Sequence, residues 1–515
     1  GETSRQEGGK IFGSGSRTPV AVSIMIKGKR KDDAAEIFYH DIGDYLNQAD
    51  KLEKISSFAS IAGITEVNGW QSITPDHHGD WVKQRDDRFA EYISMGTKSG
   101  TEAYGLFANY SSGVQTNRDV WCYNSSRANV AANMNSTIGF YNNEVNRFDV
   151  AHIGLDKKAR ESVVDGFIDN DSTRISWTRA LKQELAKNRR FAFEAECLTP
   201  GQYRPFTKQW LYFNRKLNEY VNQMPRIFPN QTAKNRAICV SGIGVNKQFS
   251  CLITDALPDV QIFANGQCFP LYLYEKTDSL EENSEPQSAD LFAVQVKQDE
   301  RQPRDALTDE GLAHFQSTYP GEKISKEDVF YYVYGLLHSP DYRERYADNL
   351  SKELPRIPRV KTAADFWEFS KAGRKLAELH LNYETVEPYP LKIESSGKLT
   401  DADYRVEKMK YGKTGKDKDL TTLHYNNKIT LTGIPLEAYD YIVNGKPALD
   451  WVVERQCVKT DKDSGIVNDA NDWAVDTMGN PRYPLELFMR VVTVSLETMK
   501  LVNGLPKLEI MDKSE

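Results

Sequence analysis

The run Val20-Ala21-Val22-Ser23-Ile24-Met25-Ile26 constrains the fold more than any other stretch of the chain. In an extended strand Val20, Val22, Ile24 and Ile26 share one face and Ala21, Ser23 and Met25 the other, so neither face carries a charge. A strand of that kind is expected to be buried on both sides, as a central strand of an α/β sheet is. It follows Phe12-Gly13-Ser14-Gly15-Ser16-Arg17-Thr18-Pro19, a tight Gly/Ser turn with one arginine. A dinucleotide-binding loop has the reverse order, a strand first and a helix after the glycines, so this turn reads poorly as a phosphate cradle.

With 515 residues there is room for about two to four domains, and 39% hydrophobic with 27% charged residues suits ordinary globular structure. No apolar run approaches the roughly 20 residues of a membrane span and no signal peptide opens the chain, so a cytoplasmic protein without membrane contact is expected. The six cysteines show no Cys-x-x-Cys spacing, which suggests neither a zinc site nor a disulfide framework. A net charge of −7 argues against a uniformly basic nucleic-acid binder and directs attention to local patches.

Local signals place several elements. A strand is expected near Glu36-Ile37-Phe38-Tyr39 and a helix from Asp50 to Ala59. Trp177, Leu181 and Leu185 recur at four-residue spacing, which predicts a helix over Ser176 to Arg190. Ser325 with Asp328 three places on is a variant capping box opening a helix through Leu337, and Ser339-Pro340 starts another. A further helix follows Thr362, with Phe366, Phe369, Leu376 and Leu379 on one face. Asn426-Asn427 between β-rich runs predicts a hairpin from Leu420 to Thr432, and the last helix, from about Leu485 to Val502, should stop before Gly504.

Four constellations carry possible chemistry. The stretch Tyr203 to Lys216 interleaves four basic residues with five aromatics, a composition that suits stacking and phosphate contact and equally suits a core with solvated cations. Thr116-Asn117-Arg118-Asp119 offers Arg118 as a DNA contact or as half of a local ion pair. Lys408 to Lys418 holds five lysines and two glycines and reads as a flexible basic loop. Arg174 to Arg190 holds six basic residues and one acid, either a DNA contact or a solvated helix face. Asp76-His77-His78-Gly79-Asp80 has the residue types of a metal site but reads as a polar loop, since neighbouring histidines on a strand point apart and no distant partner motif is visible, and Pro258-Asp259 with Glu275-Lys276 lacks the Glu-x-Lys spacing of a nuclease. The acidic stretch Glu275 to Asp290 should be a loop facing away from DNA.

Residues 1–27, with the Gly/Ser turn and its strand, closely resemble the end of the methyltransferase domain in type ISP restriction-modification enzymes. These join nuclease, helicase-like ATPase, adenine-N6 methyltransferase and target-recognition parts in one polypeptide. The resemblance returns in Tyr110 to Trp121, in Tyr203-Arg204-Pro205-Phe206, in Tyr334 to Tyr342, in Tyr441 to Gly445 and in Trp451 to Arg455, and so spans nearly the whole chain. It implies an α+β fold. Residues 1–65 would be the terminal part of an α/β methyltransferase sheet, 66–230 a connecting mixed region and 231–515 a mixed α/β target-recognition domain.

The family's S-adenosylmethionine loop and Asn-Pro-Pro-Tyr motif have no counterpart here, and Asn480-Pro481-Arg482-Tyr483 is a near miss at the wrong end. The resemblance therefore implies a C-terminal piece with no cofactor of its own, S-adenosylmethionine belonging to the parent enzyme. Its partners would be double-stranded DNA and the N-terminal methyltransferase, helicase and nuclease parts. The expected DNA-contact residues are Arg17, Asn117, Arg118, Arg204, Lys208, Lys410 and Lys413, with no catalytic and no metal-binding residue. The rival expectation is a non-catalytic protein-docking scaffold of a DNA-processing complex.

Overall fold

The computed structural model describes residues 8, 10–11, 20–27, 35–96, 104–245, 247–276 and 301–511. Their architecture is mixed α/β. No sheet among them exceeds four strands, so helices and small sheets share a core in place of one doubly wound layer.

Residues 20–27 differ from expectation. They belong to no strand, and Val22 is 86% and Met25 92% exposed. A strand apolar on both faces needs a neighbour strand and two covering layers, and the described residues bring none of these to it. The strand Ile37–Tyr39 does form, antiparallel to Gln71–Ile73, and the expected helix runs from Gln48 to Ser57 behind an Asn47–Asp50 capping box. No residue of these elements is buried, and the first buried side chain among the described residues is Phe89.

From Phe89 to Leu508 a continuous apolar cluster fills the interior and crosses residue 230 without a break. At its centre the helix Lys326–Leu336 crosses the helix Ala363–Leu381; the first is opened by the cap that the sequence predicts, Ser325 with Asp328, and the second is capped by Thr362. The two backbones nearly touch, because a Cβ on Gly373 would stand 1.9 Å from the Tyr331 carbonyl oxygen. The helix Pro340–Arg345 starts at Ser339 as expected, and the last helix, Tyr483–Asn503, ends at Gly504.

Two other expectations are revised. The basic helix is Arg179–Ala186, shorter at both ends because Thr178 caps it and Asn188 turns to φ +57. Lys408 to Lys418 is no flexible loop, since Lys410–Thr414 pairs antiparallel with Asp417–His424 around Gly415. These strands join the predicted Asn426-Asn427 hairpin in a four-stranded sheet whose outer strand is Lys392–Ser395. Of the acidic stretch, Glu275 and Lys276 end a strand paired with Arg301–Asp305, and residues 277–290 lie outside the described residues. Among the described residues no helix is long and apolar enough to cross a membrane.

Candidate nucleic-acid interface

Three motifs far apart in sequence converge on Arg204. Gly113 starts the convergence, since a Cβ there would lie 2.5 Å from the Asp259 carbonyl carbon, and its absence lets Val114 N–H donate to the Pro258 carbonyl at 2.8 Å. The next turn is fixed locally: Asn117 sits at φ +54, Thr116 Oγ1 donates to Asp119, and the Arg118 N–H donates to Thr116 Oγ1 at 3.1 Å. Asp119 then opens the short helix Asp119–Cys122.

Arg204 ends the strand Leu198–Arg204, and the tight turn through Phe206, at φ +53, leads into Thr207–Tyr212. Its Nη1 donates to Asp259 Oδ1 at 2.8 Å, its Nη2 reaches Asp119 Oδ2 at 3.4 Å, and its guanidinium lies 3.8 Å from the Tyr203 ring centre. Burial pushes the Asp259 carboxyl up to about 7, opposed by the neighbouring Arg204 charge. The Arg204 side chain is only 12% exposed. Its charge is thus shared between two carboxylates and a ring, and little of it is left for a phosphate.

Arg118 is deeper still, at 4% exposure. Its Nη2 donates to Thr178 Oγ1 at 2.9 Å, and burial lowers its pKa. Direct contact with DNA through Arg118 therefore has no support in its placement; the side chain ties the Asp119–Cys122 helix to the cap of Arg179–Ala186. Lys208 lies 3.0 Å from Glu384 and 3.7 Å from Asp255. Burial works against its charge, but the two carboxylates outweigh it and raise its pKa. Asn117 is exposed and accepts from Gln115 Nε2 at 2.9 Å. Arg17 lies outside the described residues.

Lys410 and Lys413 stand apart from these. On their sheet Tyr411, Leu423, Leu431 and Ile393 share one row, of which Leu423 and Leu431 are buried and Tyr411 donates to Asp450 at 2.8 Å. The next row is solvent-facing: Lys410 opposite His424, His424 opposite Thr430, and Thr430 opposite Glu394. A bulge between Tyr411 and Gly412 then shifts the register, and Lys413 and Lys416 follow toward the tip. Lys410, Lys413 and Lys416 are exposed and make no ion pair among the described residues.

The basic run Arg174 to Arg190 behaves as a solvated face. Lys182 pairs with Asp165, Lys187 and Arg189 both pair with Glu184, and Arg174 covers the Phe140 ring. Sequence reasoning missed the roles of Asp119 and Asp259 as partners of Arg204. It also missed the meeting of Trp210 with Trp473, whose ring centres are 6.2 Å apart beneath Arg127. The glycine at 113 was the available signal for the first, while nothing local signals the second. The near-miss Asn480-Pro481-Arg482-Tyr483 is structural, since Asn480 donates to Glu486 and the buried Tyr483 donates to Glu384 at 2.6 Å.

Solved structures similar to the chain include that of a nuclease-deletion mutant of the type ISP restriction-modification enzyme LlaGI in complex with a DNA substrate mimic. There the identity is 39% and the TM-score 0.82, over 99% of this chain and 43% of that one. The ATP-dependent type ISP enzyme LlaBIII bound to DNA shows 35% identity and a TM-score of 0.80 over 99% of this chain and 30% of its own. The DrdV–DNA complex shows 30% identity and a TM-score of 0.78 over 98% and 46%. This chain thus spans less than half the length of each of these three. No curated protein sequence matches it. Residues 105–487 match the type ISP C-terminal specificity domain, and the chain belongs to that family.

Proposed function

We propose that this chain recognises the DNA target of a type ISP restriction-modification enzyme that methylates adenine at N6. The observation that carries the reading is the likeness over nearly the whole chain to enzymes whose structures were solved on DNA. The geometry supports it with a hairpin that carries exposed Lys410, Lys413 and Lys416, cations that make no ion pair among the described residues. Lysines of this kind neutralise phosphates and fix register, while groups reaching base edges give the choice of sequence.

Methyl transfer in the parent requires the adenine to leave the stacked helix. The described residues do not fit an S-adenosylmethionine site: they present no glycine-rich loop between a strand and a helix, and Asn480 and Tyr483 are committed to internal hydrogen bonds. The cofactor and the reaction are therefore assigned to the preceding methyltransferase part. The exposed apolar residues 20–27 and the elements up to Ile73, which bury nothing, favour a fit against that part.

The roles of the individual residues divide accordingly. Lys410 and Lys413, with exposed Asn117, face DNA; Arg118, Arg204 and Lys208 are held in contacts inside the fold. Titrating a labelled duplex with the chain across salt tests the reading, because phosphate contact weakens steeply with salt and apolar docking of a scaffold does not. Affinity independent of salt, or absent, rejects it. The purified chain alone is expected to transfer no labelled methyl group to DNA, and measurable transfer would overturn the assignment of the cofactor to the parent.

A further inference from the structure

His77, His78 and Asp87 offer three metal-ligating atoms that all lie within 4.8 Å of one another, and all three residues are exposed. The two histidines occupy a turn, not a strand, so their rings face each other with centres 3.7 Å apart. His77 Nδ1 lies 3.2 Å from Asp87 Oδ1. We propose that these three side chains bind a divalent transition-metal ion of the zinc, nickel or copper class, with solvent completing its coordination.

The surroundings hold the donors in place. Asp76 Oδ1 accepts the N–H groups of His78 at 2.9 Å and Asp80 at 2.8 Å, which fixes the turn. Asp80 itself is tied to Arg85 at 2.9 Å and Lys352 at 2.8 Å, fixing the turn to the body of the protein. On the other side Asp86 caps the short helix Asp87–Glu91 and donates its N–H to Asn349 Oδ1 at 2.9 Å. Arg88, the nearest cation on that helix, pairs with Asp86 and leaves Asp87 to the imidazoles. Two imidazoles and one carboxylate suit borderline divalent ions better than magnesium or calcium, which prefer oxygen alone. Packed supports of this sort orient ligands and typically change metal affinity by about tenfold or more when lost.

The test is calorimetric titration of the tag-free full chain with zinc chloride and with nickel chloride. One equivalent is expected to bind. His78→Ala and Asp87→Asn should each weaken it by about tenfold or more, while His152→Ala, at a distant half-buried histidine bonded to the Phe148 carbonyl, should leave it unchanged. All three ligands are exposed, so the variants should keep their fold, which a thermal melt without metal verifies. Unaltered binding in His78→Ala and Asp87→Asn, or no saturable binding by the unsubstituted chain, would overturn the site.

Discussion

Replacing Lys410, Lys413 and Lys416 together by alanine isolates the proposed DNA-facing surface. Each is exposed and makes no ion pair among the described residues, so each can neutralise one phosphate on binding. Releasing one counterion per phosphate contributes about 0.9 to the slope of log affinity against log salt, so at about 0.1 M salt each contact is worth about eightfold relative to 1 M. Loss of all three should lower the slope by about 2.7 and affinity at 0.1 M by roughly 500-fold. Folding stability should move by no more than about 0.5 kcal/mol, as for surface substitutions that break no special feature. Fluorescence anisotropy of a labelled duplex, repeated across salt concentrations, measures both quantities. Lys208→Ala is the control, because it removes the same formal charge from a lysine already held by Glu384 and Asp255. An unchanged slope in the triple variant, or an equal change in Lys208→Ala, would refute the argument.

Two other outcomes follow from the interior. Arg204→Ala strands the Asp119 and Asp259 carboxylates and should cost about 3–5 kcal/mol in urea denaturation, the usual penalty for breaking one side of a buried pair; a loss below about 1 kcal/mol would show that the cluster is not structural. Burial holds His380 down to about 3 and His338 well below the ordinary value, with Arg343 adding to both. A depressed folded pKa gives stability present above about pH 6.5 and lost as pH falls, at about 1.4 kcal/mol per pH unit for each histidine. Asp259, pushed up to about 7, acts in the opposite sense: its proton is bound more tightly in the fold, so its term declines as pH rises from about 4 to about 7. Urea midpoints between those limits should therefore lose acid sensitivity in His380→Gln and gain it in Asp259→Asn, and the reverse pattern would count against these placements.

What the sequence discloses is what depends on near neighbours. The caps at Ser325, Ser339 and Thr362 form as their residue types require, because the hydrogen bond closes within three residues. The Asn426-Asn427 hairpin forms for the same reason. Lys408 to Lys418 misleads because its lysines mask an inward position at Tyr411, and the bulge that follows breaks the period-two pattern by which a strand is read. The apolar run Val20 to Ile26 specifies a strand that wants cover, but cover is a property of other segments. The Arg204–Asp259 pair joins residues 55 positions apart, beyond any local rule. His77 and His78 read as divergent only if a strand is assumed, and the turn built on Asp76 removes that assumption.

On the proposed reading, the charge arrangement lets an acidic chain face a polyanion. Arg204 between Asp119 and Asp259 leaves a local charge of −1, or zero when Asp259 is protonated, so this part of the basic and aromatic stretch presents no net positive field. Lys208 is balanced in the same way, and Arg118 is out of reach of solvent. Inside the fold Arg204 and Lys208 are compensated by carboxylates, since an unpaired buried charge is costly. Cations that meet phosphate must be uncompensated, since a lysine already paired releases no counterion on binding. One side chain cannot meet both conditions. The lysines at 410, 413 and 416 meet only the second, so the proposed DNA-facing role falls to their hairpin, while Arg204 and Lys208 serve the interior.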